Sequence, residues 1–162
     1  MTIFEGSFEN GIANNVGMML YPNGEAYYGQ HTQFERNGLG KQIFLDGSYY
    51  EGSWENDKME GEKCKYYQSG ANTIYLGPFE SNRKSGLGIM LHMDSQEIYE
   101  GEFSNDKKNG VGLVYHKDGK VYQCSYKQGN IDGGLQFFRI MNKVETNMKF
   151  RDAKKGHFYY VK

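Results

Sequence analysis

Aromatic residues, glycines and alternating apolar residues recur along this chain with a period of about 23 residues. Each unit begins with an aromatic residue. In most units a glycine follows two positions later and a second aromatic residue four positions later. Because side chains alternate along a strand, these three positions share one face of a short strand. We therefore predict a strand at each of the six starting residues, which are Phe4, Tyr27, Tyr50, Tyr75, Tyr99 and Tyr122.

A second strand is predicted in each unit from the residues 12, 14 and 16 positions after the start. Val16, Met18 and Leu20 show this apolar alternation in the first unit. Most units then close with a pair such as Asp118-Gly119, and such pairs favour tight turns between antiparallel strands. The pattern predicts an all-β fold, an elongated and twisted single-layer antiparallel sheet of consecutive β-hairpins.

The regular glycines need a positional reason, because glycine inside a strand weakens it. We expect a ring from the adjacent strand to lie over the glycine inside the first strand of each unit and to fill the space that a side chain would occupy. The glycines two positions after the start are Gly6, Gly29, Gly52, Gly77 and Gly101, and those thirteen positions after it are Gly17, Gly40, Gly88 and Gly112.

The six predicted repeats fill residues 4–140, and the tail from 141 to 162 allows two interpretations. One is a degenerate seventh hairpin whose last strand is formed by residues 158–161. The other is a short helix through Val144 and Met148 that covers the final edge of the sheet. Either element would cap the array.

A resemblance to a known family rests on residues 99–119, which read Tyr-Glu-Gly-Glu-Phe, then Gly-Val-Gly, then Asp-Gly. This pattern resembles the MORN repeat (membrane occupation and recognition nexus), and similar strings begin at Phe4 and Tyr50. The resemblance extends from residue 4 to about residue 140, with glycine and aromatic columns recurring together in register. The residues that depart from these columns include His31, Cys124 and Leu135.

The resemblance implies a curved single-layer sheet and work that is not catalytic. Such arrays occur in ciliary and flagellar spoke proteins, membrane-junction proteins and protist cytoskeletal scaffolds, and as accessory regions of some enzymes. We therefore expect no enzyme, but a scaffold or adaptor that mediates protein–protein interaction in a larger assembly. A ciliary, axonemal or cytoskeletal location is expected by family analogy alone.

The second aromatic column offers candidate anchors for a bound protein segment, since aromatic residues dominate binding hot spots. The alternative is that these rings only hold adjacent strands together. The first strand also has an open edge, with which another chain or a second copy could pair. The candidate anchors are Phe8, Trp54, Phe79, Phe103 and Tyr126.

Basic residues recur at the same two turn positions of successive units, so they are expected to form a stripe along one edge. A solvated row of turns is one interpretation, because charges at an edge discourage aggregation. The other is a surface for an acidic protein or for anionic lipid, which would make the chain a peripheral membrane module. The stripe consists of Lys58, Arg83, Lys84, Lys107 and Lys108.

Composition narrows the classes of function and location that remain for this chain. A formal net charge of −1 argues against nucleic acid, which usually demands a basic face. Two cysteines in different units, Cys64 and Cys124, predict packed thiols rather than a disulfide framework. There is no signal peptide and no apolar run near the length of a membrane span, so we expect a soluble, cytoplasmic protein.

Catalytic and cofactor chemistry is not expected. His92 and His116 share one column, but no carboxylate or cysteine accompanies them at metal-ligand spacing. Each Gly-x-Gly opens a strand rather than a helix, which excludes a phosphate-binding loop. We expect no metal site, no cofactor and no catalytic residues.

Overall fold

The computed structural model describes residues 1–156, in which one antiparallel sheet of fourteen strands is followed by a single helix. The prediction of an all-β array is thereby confirmed. The strands are β1 Ile3–Glu9, β2 Ile12–Leu20, β3 Ala26–Thr32, β4 Glu35–Ile43, β5 Tyr49–Glu55, β6 Lys58–Gln68, β7 Thr73–Glu80, β8 Arg83–Lys84, β9 Gly86–His92, β10 Glu97–Ser104, β11 Lys107–His116, β12 Lys120–Lys127, β13 Asn130–Ile131 and β14 Gln136–Ile140, and the helix is α1 Lys143–Lys155.

The sheet follows chain order, because short turns force consecutive strands to pair antiparallel. The path runs from β1 to β7 and then from β9 to β13. Strand β8 is a two-residue strand on β7, and β14 pairs with β12 beside β13. The result is one open sheet of consecutive hairpins.

The turns within the hairpins use two consecutive residues with positive φ, the pattern of the type I′ turn. Asn56 and Asp57 form such a pair, with φ of 48° and 65°. Phe34 has φ of 68° in the equivalent turn, where a bulky residue is an outlier. This is the position at which Phe34 departs from the Gly, Asn and Asp of the other units.

In three hairpins a bulge follows the first glycine, because two residues of the first strand there face four residues of the second. In the fifth unit, Gly101 pairs with Gly112 and Phe103 with Lys108. Gly110 lies in the extra segment with φ of 67°. The recurrent glycine eleven positions after the start is thereby explained by a left-handed bulge residue.

Residues 143–155 form the helix α1, and the strand considered at 158–161 lies outside the described residues. Asn142 and Glu145 form a capping box at its start, and Gly156 caps its end with φ of 84°. The helix lies on one face of the sheet rather than along the final edge. Its contacts are with residues of β6, β7, β9, β10 and β11 and of the turn before β12.

Candidate interaction surfaces

One face of the sheet is an interlocked layer of rings. Tyr27, Tyr75 and Tyr99 each lie along their own strand and over two glycines, one in the same strand and one in the next. Tyr50 lies over Gly52 in the same way, with Cys64 at the second place. The hydroxyl of Tyr50 donates to the carbonyl of Ser53 at 2.7 Å, and that of Tyr99 donates to the carbonyl of Glu102 at 3.2 Å. The ring over the first glycine therefore comes from that glycine's own strand, which corrects the expectation of a ring from the adjacent strand.

The second aromatic column fills the gaps between these tyrosines. Trp54 meets Tyr27 and Tyr50 edge to face, with ring centroids 5.5 and 5.0 Å apart. Phe103 meets Tyr75 and Tyr99 in the same way, at 4.8 and 5.4 Å. Each such ring bridges two repeats, and edge-to-face pairs add stabilisation beyond the area that they bury.

The five candidate anchors therefore differ in access. Trp54, Phe79 and Phe103 are buried within the ring layer. Phe8 is 55% exposed, and Tyr126 is partly buried. As a surface for a partner, the ring layer presents side chains mainly at its two ends.

Cations cover the outside of the ring layer. The Lys108 ammonium lies 4.5 Å from the centroid of Tyr99 and 5.2 Å from that of Tyr126. Lys84 lies over Tyr66 and Tyr75, at 5.1 and 5.7 Å. Burial lowers the pKa of both ammonium groups. Desolvated contacts of this kind stabilise the layer.

The predicted basic stripe is divided by strand alternation, because adjacent residues of a strand point to opposite faces. Lys84 and Lys108 fold over the rings, as described above. The remaining three cations are exposed at equivalent positions of successive hairpins, and they are Lys58, Arg83 and Lys107.

Asp57, Asn82 and Asp106 have a role that the sequence did not reveal. The side chain of Asn82 accepts a hydrogen bond from the backbone of Met59 in the preceding repeat, at 2.8 Å, and its own N–H donates to the Met59 carbonyl. Asp106 makes the same two hydrogen bonds with the backbone of Lys84, one through its carboxylate and one through its own backbone N–H. These hydrogen bonds connect the turns of neighbouring hairpins.

The opposite face carries a row of apolar side chains that runs in register from β1 to β12. In the C-terminal half of the row the side chains are at most 6% exposed, and they are Ile74, Leu91, Ile98, Tyr115 and Val121. In the N-terminal half the row continues through Ile3, Leu20, Ala26 and Ile43, whose large side chains are 39–56% exposed. The same row is thus buried at one end and open at the other.

The helix α1 makes this difference. Met141 and Ala153 are buried against the C-terminal half of the row, with Phe150 packed beside them. The Lys149 ammonium pairs with the Glu100 carboxylate and lies 4.4 Å from the centroid of Tyr115. Two kinds of contact thus hold the helix on the sheet. Apolar side chains pack against the row, and Lys149 binds Glu100 and Tyr115.

We call the uncovered surface of the N-terminal half the bare face. It consists of large apolar side chains from β1 to β4, each 39–66% exposed. Contiguous apolar surface of this kind marks interaction sites in soluble proteins. The bare face comprises Ile3, Val16, Leu20, Tyr28, Leu39 and Ile43.

The histidines and cysteines have structural surroundings. Glu97 lies opposite both His92 and His116 in the sheet, so a carboxylate does accompany the two histidines, contrary to expectation from spacing. Within residues 1–156, however, no group of three or more His, Cys, Asp or Glu side chains is placed to hold a metal ion. Cys64 and Cys124 are free and buried.

His31 is buried in the second aromatic column, where the other units have phenylalanine, tryptophan or tyrosine. Its centroid lies 5.0 Å from Phe4 and 4.9 Å from Tyr27, edge to face in both cases. Neither ring nitrogen finds a hydrogen-bond partner among residues 1–156. Burial lowers the pKa of His31, and the nearby backbone and the Asp57 carboxylate oppose this shift without cancelling it.

An open array of hairpins held together by rings over glycines defines a β-repeat protein. The family model of the MORN repeat matches residues 4–26, 50–70 and 99–121. The chain therefore contains MORN repeats, the family that its sequence resembles. MORN repeats are non-enzymatic modules that typically mediate protein–protein or membrane interactions.

A solved structure with some similarity is the crystal structure of the TCP10c domain of Drosophila melanogaster Sas-4. It is 14% identical, with a TM-score of 0.35 over 76% of this chain and 93% of that chain. This similarity is too low to bear on function. No helix within the described part of the chain is long and apolar enough to cross a membrane.

Proposed function

We propose that this chain is a non-enzymatic scaffold that binds protein chains through its bare face within a larger assembly. The observation that carries the proposal is the apolar row of the sheet, which α1 covers at one end and leaves open at the other. Burying the open side chains against a partner is favourable by about 25 cal/mol for each Å² of apolar surface.

The helix α1 supports the proposal, because it is a helix of this same chain that packs against the apolar row. The sheet takes up an apolar helix stripe through Ile89, Leu91 and Ile98. Leu20 and Ile43 present the same kind of side chain at the strand position of Leu91. A protein segment with an apolar stripe therefore fits the bare face better than a small polar ligand does.

The setting that we propose is a cytoskeletal or ciliary assembly. The support for this setting is the family, whose arrays occur in cytoskeletal scaffolds and spoke proteins. At the ends of the ring layer, Phe8 and Tyr126 are additional candidate contacts for such partners.

The test is affinity capture of partner proteins from native cell extract. The native chain is compared with a bare-face variant, Leu20→Lys/Ile43→Lys, and with the control Val111→Lys. Val111 is 54% exposed on the same side of the sheet but lies in the C-terminal half, outside the bare face. We expect a set of proteins that the native chain and the control retain and the bare-face variant loses. Equal capture by all three chains, or capture by none, would refute the proposal.

A second candidate function, peripheral binding to anionic membranes, is favoured by the exposed cations Lys58, Arg83 and Lys107. Each basic residue near an anionic surface contributes about 1 kcal/mol. Flotation with vesicles that contain phosphatidylserine tests this function. The native chain should float and the triple variant Lys58→Glu/Arg83→Glu/Lys107→Glu should stay in solution; if neither floats, this candidate is eliminated.

A further inference from the structure

Charge is distributed unevenly along the array. Residues 1–60 contain nine acidic and three basic side chains, a net charge of −6. Residues 61–162 contain eleven acidic and sixteen basic side chains, a net charge of +5. The almost neutral chain is therefore acidic where its apolar row is bare and basic where the row is covered. Opposite ends of two such chains attract each other.

The helix α1 has a second side that its own sheet does not use. Val144 is 67% exposed and Met148 is 47% exposed, and they lie one helical turn apart. Arg151 and Lys155 continue the same stripe and are also exposed. The helix carries five basic and two acidic residues, a net charge of +3. Its outer side is thus apolar at the start and basic at the end.

We infer that the bare face is covered by a second copy of this chain, which lays the outer side of its α1 across β1–β4. The inference rests on the proposed function and names the partner for the same surface. Two copies related by a two-fold axis would exchange this contact reciprocally. Each helix would then lie between its own sheet and the sheet of the other copy.

The dimensions of the two surfaces agree. Thirteen residues of helix span roughly 20 Å at 1.5 Å per residue. The four strands β1–β4 of the bare face are together roughly 19 Å wide, at about 4.8 Å for each strand. Because α1 lies on the C-terminal half of its own sheet, the surface there is one helix diameter higher than the bare face. The helix of an antiparallel second copy fills this difference in height.

The bare face also repeats the chemistry that holds α1 in its own chain. Glu5 and Glu51 occupy the strand position of Glu100, next to the starting aromatic residue. Glu100 is the carboxylate that binds Lys149 beside Tyr115. Glu51 lies beside the apolar row and is already 3.8 Å from the Lys41 ammonium. Glu5 has no ion pair among residues 1–156 and is open to a cation from a second helix.

Two reciprocal contacts would bury on the order of 2,000 Å², within the range of stable homodimers. A single contact would bury about half of this area, near the lower limit for a specific interface. Reciprocity therefore strengthens the dimer, and a dimer held by only one contact should be weaker but still measurable.

The experiment is sedimentation velocity of the full chain between about 1 and 100 μM, at low and high salt. We expect a species of twice the 18.6 kDa chain mass, with a dissociation constant that rises severalfold at high salt. The bare-face variant Leu20→Lys/Ile43→Lys and the helix variant Val144→Glu/Met148→Glu should each weaken the dimer at least tenfold. The control Val111→Lys should not change it, and circular dichroism should show that all four chains are folded.

Mixing the two variants provides the decisive measurement. The helix variant has an intact bare face and the bare-face variant has an intact helix, so one of the two contacts returns in the mixture. We expect a 1:1 heterodimer that is weaker than the native dimer and that neither variant forms alone. A native chain that stays monomeric, a dimer that survives both variants, or a mixture without heterodimers would overturn the inference.

The outcomes separate this inference from the proposed function. If the native chain is monomeric but captures proteins that the bare-face variant loses, the second copy is excluded and the scaffold function stands. If a reciprocal dimer forms and no other protein is captured, the bare face serves self-association alone. If neither binding occurs, both proposals fail together.

Discussion

The two halves of the array present the same apolar row in opposite states. Leu20 and Leu91 stand at the same position of their units, 16 residues after the starting aromatic residue. Leu91 is 4% exposed beneath α1, and Leu20 is 39% exposed on the bare face. Equal sequence patterns therefore specify equal positions in the sheet, whereas burial depends on whether another element covers that position.

The largest expected effect compares these two leucines directly. Leu91→Ala should lower the free energy of unfolding by about 3 kcal/mol, because it leaves a cavity under α1. Leu20→Ala should lower it by about 1 kcal/mol or less, because its side chain is already half in water. Urea unfolding at low protein concentration, followed by the fluorescence of Trp54, measures both. Equal losses would contradict the assignment of one covered and one bare half.

Gly101→Ala should cost about 2 kcal/mol, because the new methyl group would overlap the ring of Tyr99. Gly17→Ala is expected to cost less, since the overlapping ring of Phe4 is only partly buried and can move outward. Gly70→Ala is the control, because its added methyl group meets nothing within 4 Å. The same urea measurement applies, and a loss at Gly70 as large as that at Gly101 would show that ring contact is not the cause.

Lys149→Ala should release α1 and make the covered half resemble the bare half. The loss leaves the Glu100 carboxylate without its ion pair in a nearly dry interface, at a cost of about 1.5 kcal/mol. Hydrogen exchange should accelerate in the amides of α1, whereas β3–β5 should be unaffected. Lys154→Ala, at an exposed position of the same helix, is the control. Unchanged exchange in α1 would mean that Lys149 does not hold the helix.

The smallest effect concerns the junction of the first two units, where His31→Phe should stabilise the array by about 1 kcal/mol at pH 5. Burial lowers the pKa of His31, so the unfolded chain takes up a proton at a higher pH than the folded chain does. Stability of the native chain should thus decrease as the pH falls below about 6.5, the usual histidine pKa. The phenylalanine variant should lose this part of the pH dependence.

Urea unfolding between pH 5 and pH 8 compares the slopes. His116→Gln is the control, because His116 is partly exposed beside Glu97. An identical slope in the native chain and the His31→Phe variant would exclude His31 as the titrating group.

Much of the fold follows from the sequence because its causes are local. The hairpins follow from paired turn residues such as Asn56 and Asp57, and the strand faces follow from strict alternation. Local patterns also predicted that glycines and rings belong together. They did not show which strand supplies the ring, since a tyrosine two residues before a glycine can lie over it or away from it.

The candidate site was less predictable, because its features depend on pairs that lie far apart in sequence. Strand alternation alone places Lys84 and Arg83 on opposite faces of the sheet, and likewise Lys108 and Lys107. The division of the basic stripe could therefore have been predicted from the sequence. The position of Glu97 between two histidines required the strand register. The hydrogen bonds of Asn82 and Asp106 to the preceding repeat required the spacing of neighbouring hairpins.

By itself, the amino-acid sequence determined the period, the order of the hairpins and the face on which each side chain lies, because turns and strand alternation act over a few residues. Only the tertiary structure decided which half of the apolar row is buried. That outcome rests on contacts such as Lys149 with Glu100, 49 residues apart, and no local pattern encodes where a helix will dock.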